Sequence, residues 1–232
     1  MKNKIACPNC GTENDFYRLN CVACGALLRN RVVNLDLWSI IWHVIETPTE
    51  AFKNIIFAEN KNFTFFLALL FSIKLTFNSF FIKSNFDKSI DFQNHLGFDF
   101  LIGVATFMII FLLIPLVQKY ALKGLGINTR YKDNYSALIY ASVPVLISLI
   151  IFFPVEYALF GKYWLFFNPS PYMIKPTAAY VFTCMEILMI VWMYLLFILA
   201  GFVQSISKIY AVISATIIIS VLGVVSIFIP YL

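Results

Sequence analysis

Four cysteines near the start carry the sharpest chemical signal in this sequence. Cys7-Pro8-Asn9-Cys10-Gly11 is followed, ten residues on, by Cys21-Val22-Ala23-Cys24-Gly25. Two Cys-x-x-Cys pairs can present four thiolates, which is the donor set that tetrahedral zinc takes in structural sites. The glycine after each pair permits a tight backbone turn around the sulfurs. A set with no open coordination position points to a structural Zn2+, so Cys7, Cys10, Cys21 and Cys24 are expected to hold it and to do no catalysis. Two disulfides would use the same four residues, and so would four reduced thiols that bind nothing. A fifth cysteine, Cys184, stands in an apolar run and is expected to be a small buried hydrophobe.

A second chemical signal is charge inside apolar sequence. Lys74 lies mid-run, with Asn78 one helical turn later, and Glu186 stands in another long apolar stretch. Placing a charge at mid-membrane costs about 2.5–3.5 kcal/mol on insertion scales, so such residues are functional candidates. A Lys74–Glu186 pair would neutralise both. It would be either a polar site for an ion or solute, or a structural tie.

The elements that must position these residues follow from composition. The chain has 232 residues, 61% hydrophobic and only 12% charged. A soluble domain carries about 25% charged residues, so a water-soluble fold is excluded for most of the length. Residues 1–61 hold 13 of the 29 charges, which sets a polar head apart from an apolar body. Five helical spans are expected near residues 63–82, 100–118, 136–156, 178–203 and 209–231, each near the 20 or so residues a bilayer requires. Pro154 with Glu156 is expected to mark the end of the third. The fold class is therefore an all-α polytopic membrane protein of five transmembrane helices behind a small zinc ribbon (residues 1–31, a β-hairpin with two knuckles). The first 30 residues are polar and cysteine-rich, unlike a cleavable signal peptide.

Basic residues set the orientation. Twelve of the 17 Lys and Arg fall on the amino-terminal side of the proposed spans, four on the other (Lys83, Lys88, Lys162, Lys175), and Lys74 lies within. This asymmetry predicts a multi-pass protein of the cell membrane with a cytoplasmic amino terminus. Arg29 and Arg31 are expected to face anionic lipid or to serve that asymmetry. The head's net charge of +3 with two aromatics is too weak a footprint for nucleic-acid binding.

Between head and body, residues 34–60 read as amphipathic interfacial helices. Leu37, Trp38, Ile41, Trp42 and Ile45 recur at helical spacing, and Trp38 and Trp42 suit the headgroup layer as anchors. His43 reads as an interfacial polar residue. Thr47-Pro48-Thr49-Glu50 predicts a second helix with Thr47 as N-cap, Pro48 in the first position and Glu50 closing a capping box. Phe52, Ile55 and Ile56 form its apolar face. Whether that segment lies in lipid or packs on the bundle is open at this stage.

With the Pro48–Phe52 segment ahead of five spans, the loop holding Gly124 and Gly126, and the run Tyr140-Ala141-Ser142-Val143-Pro144, the body resembles the Yip family of five-span membrane proteins in bacterial form. The resemblance covers about residues 35–230. It is similar also to bacterial proteins that carry a cysteine ribbon ahead of several spans. Eukaryotic Yip proteins are associated with Rab-type GTPases and membrane traffic. The resemblance implies a non-enzymatic membrane scaffold whose ribbon docks a cytoplasmic protein or the bilayer, with an oligomer possible. No His-Glu-x-x-His, Gly-x-Ser-x-Gly or P-loop occurs, which agrees with a non-enzyme. The alternative is a transporter or channel for an ion or small solute, built on Lys74, Asn78 and Glu186.

Overall fold

Apolar runs without alternation can satisfy their backbone in lipid only as helices. The computed structural model, which describes residues 3–86, 96–166 and 169–229, is built that way. Lys88, His95 and residues 230 and 231 of the expected fifth span lie outside the described residues. At the front, β1 (Lys4–Ala6) pairs antiparallel with β2 (Glu13–Asp15), Ile5 opposite Asn14. Two short helices follow, α1 (Leu37–Glu46) and α2 (Pro48–Phe57). The body comprises α3 (Thr64–Phe86), α4 (Leu96–Gly124), α5 (Tyr131–Ala141), α6 (Val143–Ile147), a π-helical turn (Ser148–Phe152), α7 (Phe153–Phe160), α8 (Tyr163–Phe166), α9 (Pro171–Ile174), α10 (Pro176–Ser205) and α11 (Lys208–Phe228).

Five stretches among the described residues are long and apolar enough to cross a membrane: Thr64–Ser84, Gly97–Gly124, Val143–Phe160, Pro176–Ser205 and Lys208–Phe228. The fold class is the expected one. The third stretch differs in position. It begins at Val143 because Pro144, in the first turn of α6, cannot donate into the turn before it. The chain ahead of it, α5, is a separate helix buried from Asp133 to Ala141 with the exception of Tyr135. The same stretch runs beyond Glu156 to Phe160, so Glu156 lies inside it and does not mark its end.

α3 is the hub. It packs on α4, α5, α6, α8 and α11, and the stacked pair Phe71–Phe111, 4.7 Å between ring centres, ties it to α4. Pro115 inside α4 removes one donor from the helix ladder. Side chains of α5 reach the carbonyls near it: Tyr131 Oη donates to Leu112 O (3.0 Å) and Asn134 Nδ2 to Pro115 O (3.4 Å). α10 and α11 form a close antiparallel pair. Gly201 allows this, since a Cβ there would lie 3.2 Å from the Ala211 Cα.

The amphipathic segment divides its faces. Asp36 caps α1 by accepting from Ser39 N at 2.8 Å. Ile40 and Val44 bury against the rest of the protein, whereas Trp38 is 77% exposed and Trp42 59%. α2 packs on α5 and α10 through Ala51, Phe52, Ile55 and Ile56, all buried. Pro48 does open α2 and Thr47 is its N-cap residue, but no capping box forms. The cap is made by the Thr47 carbonyl, which accepts from Glu50 N at 3.0 Å, and its side chain makes no capping bond.

Candidate functional site

Each Cys-x-x-Cys pair closes on itself through a backbone turn. Gly11 N donates to Cys7 O (2.9 Å) and Gly25 N to Cys21 O (3.1 Å). Both glycines have positive φ, +73° and +71°, which an L side chain would strain. The turns bring the four sulfurs within 4.8 Å of one another. Cys7 and Cys24 Sγ are 3.6 Å apart, as are Cys10 and Cys21. A disulfide needs about 2.05 Å, and all four are free thiols. A tetrahedron with metal–sulfur bonds of about 2.3 Å has edges of about 3.8 Å. The cluster therefore has the size and donor chemistry to hold a metal ion. The amide N–H groups of Cys24 and Ala23 hold the Cys21 thiol down to about 6, whereas Cys24, against the Ala26 amide, is pushed up to about 11 by the Cys10 sulfur and burial.

The sequence reading missed Asn14. It is buried, and it braces the two turns by accepting from Val22 N (2.9 Å) and donating to Thr12 O (2.8 Å) and toward Cys21 Sγ (3.5 Å). An asparagine between two charged residues of a short strand gives no warning of this role.

The ribbon is bolted to the helices. Asn3 Nδ2 donates to Val203 O (3.0 Å) and Gln204 O (2.8 Å) at the end of α10. Phe16 lies 4.9 Å from the Phe57 ring, and the Arg130 guanidinium sits 4.9 Å over Tyr17. Arg29, expected to face anionic lipid or to serve the charge asymmetry, does not point outward to lipid. It stacks 4.3 Å over Phe57 and donates to Tyr17 O (2.9 Å) and Phe57 O (3.1 Å). Two backbone carbonyls and a ring face satisfy the guanidinium at the seam between the ribbon and α2. Arg31 instead meets Glu59 in a bidentate pair, 2.8 and 3.0 Å. Beneath the ribbon, Asp133 receives Arg130 Nε (2.7 Å) and Lys61 Nζ (3.2 Å). Burial pushes the Lys61 ammonium down to about 8, against the upward pull of Asp133.

The intramembrane candidates meet. Lys74 Nζ donates to Glu186 Oε1 at 2.7 Å, and Ser148 Oγ donates to the same oxygen. Ser148 opens the π-helical turn, a device that widens a helix by one residue and is frequent at functional sites. A cavity of about 280 Å³ lies beside the pair, lined by Lys74, Asn78, Thr183 and Glu186 and walled by Phe77, Phe81, Phe153 and Trp164. The walls are held by ring stacking, Phe77 on Phe153 at 4.5 Å and Phe81 against Trp164 at 5.0 Å. Glu156 is the group sequence reasoning misplaced. It is fully buried, within reach of the Trp164 indole and the Lys74 and Glu186 charges, and neither carboxylate oxygen closes a hydrogen bond of good geometry among the described residues. Glu156 thus adds a third charged side chain to the interior of the spans, beside a Lys74–Glu186 pair that is already neutral as a unit.

Cys184 corrects another expectation. It is exposed on the outer face of α10, beside the exposed Val181, Ile187 and Leu188, and not buried. The expected anchors Trp38 and Trp42 are free on the outer face of α1, and His43 bonds within α1 to Ser39 O at 2.6 Å. Of the Tyr-x-Ser-x-Pro run, Tyr140 is buried and its hydroxyl donates to Asn62 O (2.9 Å), while Ser142 bonds back to Ile139 O (2.6 Å). No family model, no curated protein and no solved structure matches the chain.

Proposed function

We propose that this multi-pass protein binds and passes a small ion or polar solute at the Lys74–Glu186 pair, as a carrier or channel. The supporting observation is that the pair, 2.7 Å apart within apolar spans, faces a cavity and does not sit in closed packing. Buried ions need further polar partners to offset their desolvation, and the space beside this pair has room for an ion or solute that supplies them. In this reading Cys7, Cys10, Cys21 and Cys24 hold a structural Zn2+, the chain does no catalysis, and the ribbon end faces the cytoplasm of the cell. Reconstitution in proteoliposomes tests it. Uptake of protons, Na+, K+ or small amines should be measurable and should be lost in Lys74→Met and Glu186→Gln. Equal leak with and without the protein across that panel removes the proposal.

A second reading, the Yip-like scaffold, draws on a different feature. Trp38, Trp42 and Ile45 form an exposed stripe on α1 next to the ribbon, a surface suited to headgroups or to a cytoplasmic protein. Capture from solubilised membranes, with intact chain and with Trp38→Ser/Trp42→Ser, tests that surface. An unchanged set of partners and unchanged lipid association would dismiss it.

A further inference from the structure

We infer that the groove between α4 and α11 is a binding site for an anionic glycerophospholipid with a hydroxylated headgroup. Both helices pack on α3 and barely touch each other, which leaves a groove of about 500 Å³ between them. Ile114 and Val117 wall one side, Ile217 and Val221 the other. Along α11 the groove runs from Tyr210 to Val221, about 16 Å at the helical rise. One leaflet of hydrocarbon is about 15 Å deep, so one acyl chain fills its length.

An apolar groove in a membrane protein meets lipid of any kind. The ends of this one are not alike. At the ribbon end, the Gln118 and Tyr210 side chains line the groove, and their Oε1 and Oη atoms are shielded from solvent with no hydrogen-bond partner among the described residues. Ser214, the other polar lining residue, is already bonded to Ala211 O. Native structures leave few buried polar atoms unpaired, and these two are one donor-acceptor hydroxyl and one acceptor. Once the two side chains rotate toward the groove, a phosphate or ester oxygen accepts from Tyr210 and a headgroup hydroxyl donates to Gln118. The charges at this end agree. Lys119 and Lys123 follow Gln118 on α4, Lys208 precedes Tyr210 on α11, and α11 contains no acidic residue. The negative phosphate lies where the bases are and the chain where the groove is.

The test is native mass spectrometry of the full chain in detergent, offered phosphatidylglycerol and phosphatidylcholine with matched chains. Phosphatidylglycerol should be retained, preferentially by about fivefold or more. Tyr210→Phe with Gln118→Leu should reduce retention by about fivefold, the effect of one or two hydrogen bonds. Ile217→Trp, on the lipid-facing wall, should reduce it by filling the groove while leaving the polar pair. Thermal unfolding of each variant identifies any that fails to fold, and Tyr210→Phe alone removes one oxygen and no packing. Equal retention of the two lipids, unchanged retention in the folded variants, or a dimer cross-linked through α4 and α11 would overturn the assignment. The outcome is independent of transport at Lys74.

Discussion

The Arg29 guanidinium lies 4.3 Å over the Phe57 ring and donates to the Phe57 carbonyl at 3.1 Å. One residue of the ribbon thereby grips the end of a helix that is itself buried against α5 and α10. The ribbon is a cap on the bundle and not a tethered head.

Arg29→Ala should release that grip. Loss of a cation–π contact and two charge-assisted bonds at a partly exposed site is worth about 1–3 kcal/mol. Hydrogen exchange should rise across residues 3–31 while α3 to α11 stay protected. Uniform exchange change throughout the chain would show that Arg29 supports the whole fold.

Metal removal should act locally too. A ribbon with one hairpin and almost no core should lose its fold when an ion held by the four cysteines is withdrawn. A strong chelator should make Cys7, Cys10, Cys21 and Cys24 reactive to a thiol reagent, and helical circular dichroism should hardly change. Cys184, already exposed, should label in either state. Metal analysis should return one Zn2+ per chain, and Cys7→Ser should lower that value.

Breaking the intramembrane pair from one side should cost more than removing it. Lys74→Met removes the cation that faces Glu186, and Glu186→Gln removes the carboxylate that faces Lys74. Loss of one partner of a buried pair costs about 3–5 kcal/mol. The triple change Lys74→Met/Glu156→Gln/Glu186→Gln should recover most of that, read as thermal unfolding in detergent. Additive losses would mean the three groups do not interact.

Lys61 gives a pH signature. Its pKa falls from 10.5 to about 8 on folding, chiefly through burial. Below about pH 8 both states carry the proton and the full cost of a buried ammonium is present. Between about 8 and 10.5 the unfolded chain binds more protons than the folded one, so stability rises with pH. The gain is at most about 3 kcal/mol. Lys61→Met should remove that rise, leaving Asp133 to Arg130. An identical pH profile in wild type and variant would refute it.

The sequence by itself determined what depends on neighbours in the chain. The two Cys-x-x-Cys turns, the five apolar stretches, Pro48 opening α2 and the apolar face of Phe52, Ile55 and Ile56 are all local, set by spacing and period. Tertiary structure decided what depends on packing. Lys74 and Glu186 were visible as oddities, and their meeting across 112 residues is a matter of how α3 and α10 lie together. Glu156 reads as a boundary by its proximity to Pro154, yet α7 continues through it and turns it inward. Cys184 and Arg29 went the opposite ways from expectation, one out to the lipid-facing surface and one in toward Phe57. In a chain this uniformly apolar, hydrophobicity tells helix from loop but not the bundle side of a helix from its lipid side. Only the contacts between helices assign those faces, and with them the cavity, the groove and the charge triad.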